Sequence, residues 1–304
     1  MSGSSVVLQD GPWEHRSISA RGARFHVAEM GEGPLVLFLH GFPQFWWTWR
    51  HQLPTFARNG YRAAAMDLRG YGGSDHTPRG YDLPSLADDT AAVISSMGAA
   101  DAIVVGHDWG GLVAWTLAAR QPKAVRRLVT VGAPHPLRLR SSIVRHPKQL
   151  NRSGHALSMQ SPWLPERRFT QSNAAKVDQL LRQWAAPGWP DLPTSMTYRR
   201  AFQNGNTPFC AAEYHRWLVR SAIRTDGLRY AHQMKRPIDV PVLQIHGAHD
   251  RCFLPAVAQG SGRYVDAPYR WRLLDGVGHF PHEEDPERFD AELLSWLQDP
   301  EPDR

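Results

Sequence analysis

The chain has 304 residues, 42% of them hydrophobic and 21% charged, which excludes an unfolded chain and fits one large α/β domain or two ordinary ones. The formal net charge of +6, from 35 Lys and Arg against 29 Asp and Glu, raises nucleic acid as a partner. Two cysteines, Cys210 and Cys252, exclude a disulfide framework and any cysteine-rich metal site.

In chain order, Met1–Leu8 has neither the cationic nor the apolar region of a signal peptide, and no run of about 18 apolar residues follows, so the expectation is a cytoplasmic protein with no membrane span. Arg24–Ala28 reads as a strand, and Leu35–Leu39 is an apolar run of the kind buried on both faces. Tyr61–Met66 is a weaker strand, Leu83–Met97 has helical spacing, and Ala102–Val105 is a strand ending before Gly106. Gly111–Gln121 is again helical, and Leu128–Val131 is a short strand. Buried strands separated by helices predict a mostly parallel sheet flanked by helices. From about Pro136 the pattern changes to helix-like stretches, Ala174–Trp184 and Ala211–Ile223, broken by Pro and Gly clusters. Strands return at Pro241–His246 and Trp271–Leu274, followed by the amphipathic Pro286–Leu297. The expectation is therefore an α/β core of residues 1–135 and 237–304, with a helical lid inserted at 136–236.

The most informative segment is Val104-Val-Gly-His-Asp108-Trp-Gly-Gly-Leu112, a strand, a Gly-x-Asp-x-Gly turn and a helix. This is the layout of a nucleophile elbow with Asp in the usual Ser position. Flanking glycines permit a sharp turn, and the helix N-terminus favours a carboxylate. An Asp that merely caps the helix is the plain alternative. Its partners shift the balance. His40-Gly-Phe-Pro43 follows the Leu35–Leu39 strand, where the backbone N–H of Phe42 joins that of Trp109 in an oxyanion hole. Gly247-Ala-His-Asp250 follows one late strand and Gly276-Val-Gly-His279 the other, the places for an acid and a base. Asp108, Asp250 and His279 thus stand in the chain order nucleophile, acid, base.

With these motifs, with Trp46-Trp-Thr-Trp-Arg50 and with Asp67-Leu-Arg-Gly-Tyr-Gly-Gly-Ser-Asp75, nearly the whole chain resembles the α/β-hydrolase-fold epoxide hydrolases. The Asp nucleophile implies attack on an sp³ carbon and an alkyl ester on the protein. His279, oriented by Asp250, then activates a water against that ester. The residues after Leu128–Val131 read Gly-Ala-Pro-His-Pro136 and offer no other carboxylate, so Asp250 stands alone as the acid. The family resemblance implies two lid tyrosines that protonate the epoxide oxygen, and here the sequence departs from it. His155 occupies the first position, and in Tyr214-His215-Arg216 the second falls on His215, with Tyr214 one residue earlier. Tyr198-Arg199 also matches, but lies too far upstream of Pro241. A histidine donor makes ring opening more sensitive to rising pH than a tyrosine would. The plain alternative is that these histidines only line the lid.

Haloalkane dehalogenases share the scaffold and an indole at Trp109, but usually carry Asn where Phe42 stands. Fluoroacetate dehalogenases share His40–Pro43 and a lid histidine like His155, but need arginines where Trp109 and Leu112 stand. A non-catalytic small-molecule binder would be expected to lose a triad residue, and none is missing. No zinc-finger, RNP or helix-turn-helix signature supports nucleic acid. No metal constellation stands out among the 15 histidines, so no cofactor or metal is expected. The implied partners are a small epoxide and water; the oligomeric state stays open, a homodimer included. Trp46, Trp47 and Trp49 either wall the pocket or pack sheet against lid, and the Asp67–Asp75 loop is expected to be structural. Finally, residues 137–236 hold 17 Lys and Arg against five Asp and Glu, leaving 18 against 24 elsewhere, so the positive charge belongs to the lid.

Overall fold

The computed structural model describes residues 4–299; the extreme ends of the two expected core segments, 1–3 and 300–304, lie outside them. Eight strands form one sheet: β1 (Glu14–Ala20), β2 (Ala23–Met30), β3 (Leu35–Leu39), β4 (Arg62–Met66), β5 (Ala102–His107), β6 (Val125–Val131), β7 (Val242–Gly247) and β8 (Tyr269–Leu274). Their order is β1-β2-β4-β3-β5-β6-β7-β8. β1 and β2 pair antiparallel with their neighbours, and every pair from β4 to β8 is parallel. Each side chain of β3, β5 and β7 is buried, as continuous apolar runs between two helical layers require.

The sequence reading misses β1. Its residues Glu-His-Arg-Ser-Ile-Ser-Ala are mostly exposed, so no apolar run announces an edge strand. The hairpin to β2 turns through Arg21 (φ 49°) and Gly22 (φ 74°), the two left-handed residues of a type I′ turn. β5 also runs two residues further than expected, through Gly106 and His107, and so ends directly at Asp108.

From β3 the chain steps to β4 on one side, then crosses to β5 on the other. The gap between β3 and β5 is therefore the point where strand order reverses, and its carboxyl edge is the natural place for a site. Between β6 and β7 all described elements are helical: Pro136–Arg145, Pro147–Arg152, Gly154–Ser158, Leu164–Trp184, Leu192–Phe202, Thr207–Arg220 and Thr225–Gln233. Proline sits in the first turn of several, where its missing N–H costs nothing. The long helix is interrupted at Gln171–Ala174, so the expected Ala174–Trp184 helix is its second half. No described helix is long and apolar enough to cross a membrane.

Trp46 and Trp49 are fully buried. Trp46 donates to the Val7 carbonyl at 2.7 Å, Trp49 stacks on His282, and Trp47 meets Tyr198 of the inserted helices. The cluster packs, and none of its members lines the cavity described below. The Asp67–Asp75 loop is structural in the same sense. The Asp67 carboxylate accepts from the Trp46 and Gly73 amides at 2.8 and 2.9 Å, and Gly70 and Gly72 both have positive φ.

Candidate active site

Asp108 links β5 to the helix Trp109–Arg120 at φ 48° and ψ −112°, a backbone conformation rarely adopted by a residue with a Cβ. Glycines make the turn feasible. A Cβ on Gly106 would overlap the Gly110 carbonyl, one on Gly110 the Leu39 carbonyl, and one on Gly111 the Ala133 side chain. Gly41 serves the same end from β3, since a Cβ there would lie 2.5 Å from that of Asp108.

The turn lifts the Asp108 carboxylate to the floor of an apolar cavity of about 260 Å³, walled by Leu112, Leu139, Leu218 and Phe253 among others. The Phe42 amide donates to Oδ2 at 3.0 Å. Among the described contacts the Trp109 amide makes no hydrogen bond to this carboxylate, so only half of the expected oxyanion pair is engaged. His279 presents Nε2 at 3.7 Å from Oδ1, too far for a hydrogen bond, and that nitrogen has no partner although it is buried. Its Nδ1 donates to Asp250 Oδ2 at 2.9 Å. Asp250 is fixed in turn by the Cys252 and Phe253 amides on Oδ1, at 2.7 and 2.9 Å.

Burial opposes charge on all three groups, and their mutual attraction overrides it. Against that burial, the carboxylates of Asp250 and Asp108 raise His279 above its ordinary value. Against the same penalty, His279 and the Phe42 amide lower Asp108, and His279 and His246 lower Asp250. The two other histidines at strand ends play supporting parts. His40 Nε2 accepts from the Leu68 amide at 3.0 Å, and His107 Nε2 donates to the His279 carbonyl at 2.8 Å.

The inserted helices contribute unequally. His155 and His215 both line the cavity with Asp108. His155 stands half-buried, stacked at 6.5 Å on Phe42 and edge-on at 4.8 Å to Trp184, with Nδ1 toward the Arg152 carbonyl at 3.2 Å. Burial first and His215 second push its imidazole below the ordinary value. His215 is tied at both nitrogens. Nδ1 donates to the Ala211 carbonyl at 2.8 Å, and Nε2 accepts from the Trp109 indole at 3.3 Å. Burial also lowers its pKa, so the expected second lid donor is an imidazole whose two nitrogens are both engaged within the protein. Tyr214 is not brought to the cavity: its hydroxyl donates to the Arg69 carbonyl at 2.7 Å, and it is not among the lining residues. Tyr198 donates to Glu283 instead.

Sequence reasoning misses three neighbours of Asp108, Asp250 and His279. His246 lies 3.2 Å from Asp250 Oδ2, and the Trp184 ring meets His279 at 5.6 Å. Cys252 is the third. Its side chain joins Asp108 and His279 in the one described group of metal-ligating donors, with ligand atoms all within 4.8 Å of one another. Spacing in the sequence carries no signal for such a set.

A model of the alpha/beta hydrolase fold family matches residues 34–286. Human epoxide hydrolase 4 is 31% identical over 292 residues, covering 93% of this chain and 78% of that protein. Epoxide hydrolase 3 of Xenopus tropicalis is 30% identical over 292 residues, covering 91% and 76%. Among solved structures, an inhibitor complex of Bacillus megaterium epoxide hydrolase superposes with a TM-score of 0.81 at 26% identity, covering 93% of this chain and 99% of that one.

Proposed function

Because the chain belongs to the α/β-hydrolase fold family, and within it to the epoxide hydrolases, we propose that it opens an epoxide to a vicinal diol through an ester on Asp108. The observation that carries this reading is a carboxylate at the elbow, with one oxygen on the Phe42 amide and the other facing an unpartnered His279 Nε2. Residues 136–236 act as the lid over the core segments 1–135 and 237–304.

Asp108 Oδ1 attacks one epoxide carbon as that carbon's bond to the ring oxygen breaks. Backside displacement puts the leaving oxygen on the side away from Asp108, towards the lid. His155 is the lid group we assign to supply its proton, with His215 a positioning residue that holds the Trp109 indole. Once alkylated, Asp108 is neutral, and one of the two charges that hold the proton on His279 is gone. That proton passes to solvent, and the neutral imidazole, still oriented by Asp250, takes a proton from water as the water oxygen attacks Cγ of Asp108. The Phe42 and Trp109 amides hold the oxyanion, the Cγ–Oδ1 bond breaks, and His279 returns the proton to the departing diol.

A dehalogenase reading would need the Trp109 indole free for halide, and it is bound to His215. The test is a matched pair of substrates, an aryl or alkyl epoxide and the corresponding chloroalkane. Diol without chloride release is expected; chloride from the haloalkane and no diol from the epoxide would overturn the assignment.

A further inference from the structure

Two residues of the proposed hydrolysis, Asp108 and His279, share a set of metal-ligating donors with Cys252, a buried thiol that the hydrolysis does not use. Asp108, Cys252 and His279 are all buried, and one ligand atom from each lies within 4.8 Å of the other two. We propose that these three residues form a binding site for a thiophilic divalent cation, Zn²⁺ or Cd²⁺, and that the occupied protein cannot turn over an epoxide.

The chemistry of the donors fits. A mixed carboxylate, thiolate and imidazole set is what zinc takes, and bond lengths of ~2.0–2.3 Å place tetrahedral donors ~3.3–3.8 Å apart. Closing the present triangle thus needs side-chain rotations of ~1 Å or less at each vertex. His279 is preorganised for the role. Its Nδ1 donates to Asp250 at 2.9 Å, the carboxylate–histidine arrangement that orients an imidazole ligand, while Nε2 is buried and unpartnered. Asp250 is itself held by the Cys252 and Phe253 amides, so the ligand loop and the orienting carboxylate form one unit.

Charge fits as well. The Cys252 thiol has no hydrogen-bond partner described, and burial, with the Asp108 and Asp250 carboxylates adding to it, pushes its pKa up. When the cation binds, the Cys252 S–H proton and the proton held on His279 both leave to solvent, and one thiolate plus one carboxylate balance the two positive charges with neutral imidazole as third ligand. The cation and its three ligands then carry no net charge, which limits the cost of burying them. Cys210, the other thiol, has no such company: its Sγ contacts the Tyr81 hydroxyl at 3.0 Å.

The inhibitory consequence rests on the roles proposed above for Asp108 and His279, whereas the binding itself does not. The experiment is a Cd²⁺ titration of the full chain, reading thiolate-to-cadmium charge-transfer absorption and diol formation in parallel. Expected are a band that saturates at one Cd²⁺ per chain and a matching loss of turnover, reversed by a chelator. Cys252→Ala should abolish the band and raise the inhibition constant by more than ~100-fold, beyond the 10–100-fold lost with an outer-shell partner. His279→Gln keeps the thiol and should shift the midpoint of the band to higher Cd²⁺ by a similar factor, which serves if Cys252→Ala misfolds. Cys210→Ala should change neither readout. A band that survives Cys252→Ala, or a Cd²⁺ midpoint unmoved by His279→Gln, overturns the proposal. A chain that shows the band but hydrolyses no epoxide contradicts the proposed function and leaves the metal site standing.

Discussion

At the scale of single residues, Asp108 holds a left-handed backbone that costs ~1–3 kcal/mol and is met at functional turns. Its spacing from Gly106 and Gly110 made it legible, because a close turn forbids side chains at those places whatever the chemistry. The lid residues were harder to read, for a physical reason. Neighbouring positions on a helix point ~100° apart, so Tyr214 and His215 cannot both face the cavity, and sequence alone does not fix the rotation of the helix. The structure turns Tyr214 into the cluster with Tyr71 and Tyr81 and leaves His215 to the cavity side. Cys252 was unreadable for another reason: a thiol two residues after the triad acid has no pattern that distinguishes it from core.

His155 carries a prediction of its own. With its pKa lowered by burial, the protonated donor is scarce at neutral pH and scarcer above it, while Asp108, also lowered, stays ionised as the pH falls. Single-turnover ester formation should therefore accelerate as pH drops from about 8 to about 5.5. His155→Tyr supplies a donor whose proton is present throughout that range. It should flatten the profile and raise the rate at about pH 8 by ~10-fold or more. A wild-type profile already flat over this range would remove His155 from the reaction.

At the scale of elements, what was legible follows burial. β3, apolar throughout, and β7, fully buried around Val242, Leu243 and Ile245, were placed within one residue, whereas the exposed edge strand β1 was invisible. The terminal helix Pro286–Gln298 was also legible from its apolar stripe, yet it buries a cost the sequence conceals. Asp290 sits 7% exposed against Gln52, whose side-chain amide donates to Oδ1 at 2.9 Å, and burial raises the carboxyl to about 6. A carboxyl raised above its unfolded value favours the fold below that unfolded value, and the benefit is lost as pH rises through the folded one. Above about pH 6 the ionised group should thus destabilise the native state by on the order of 2–3 kcal/mol relative to an amide. Asp290→Asn keeps the acceptor for Gln52 and is expected to raise Tm at about pH 8, with the gain vanishing near pH 4. A gain of equal size at both pH values would show that ionisation is not the cause.

At the scale of the whole molecule, the net charge of +6 divides into a basic stretch over 137–236 and an acidic remainder. Part of that basic character is structural. Arg216 pairs with Glu166 and Glu213 at 2.8 Å each, and Arg152 donates to the Asp250 carbonyl at 2.5 Å, joining the inserted helices to the triad loop. Tyr198 and Arg50 meet on Glu283, four residues after His279, and tie a second inserted helix to the core. The proposed catalytic geometry is thus a property of the assembled chain, with Asp108 from the end of β5, Asp250 and His279 from beyond β7 and β8, and the proposed cover from between β6 and β7. Strand ends and motif order make the positions of the first three legible; the cover depends on helix rotation and long-range contacts that no local pattern encodes. The central claim is the ester on Asp108, and intact-mass analysis after brief exposure to an epoxide tests it most directly. His279→Gln should gain the mass of one epoxide, with the adduct on the peptide that contains Asp108, while Asp108→Ala gains nothing. A folded His279→Gln protein that forms no adduct, or one modified elsewhere, would contradict the account.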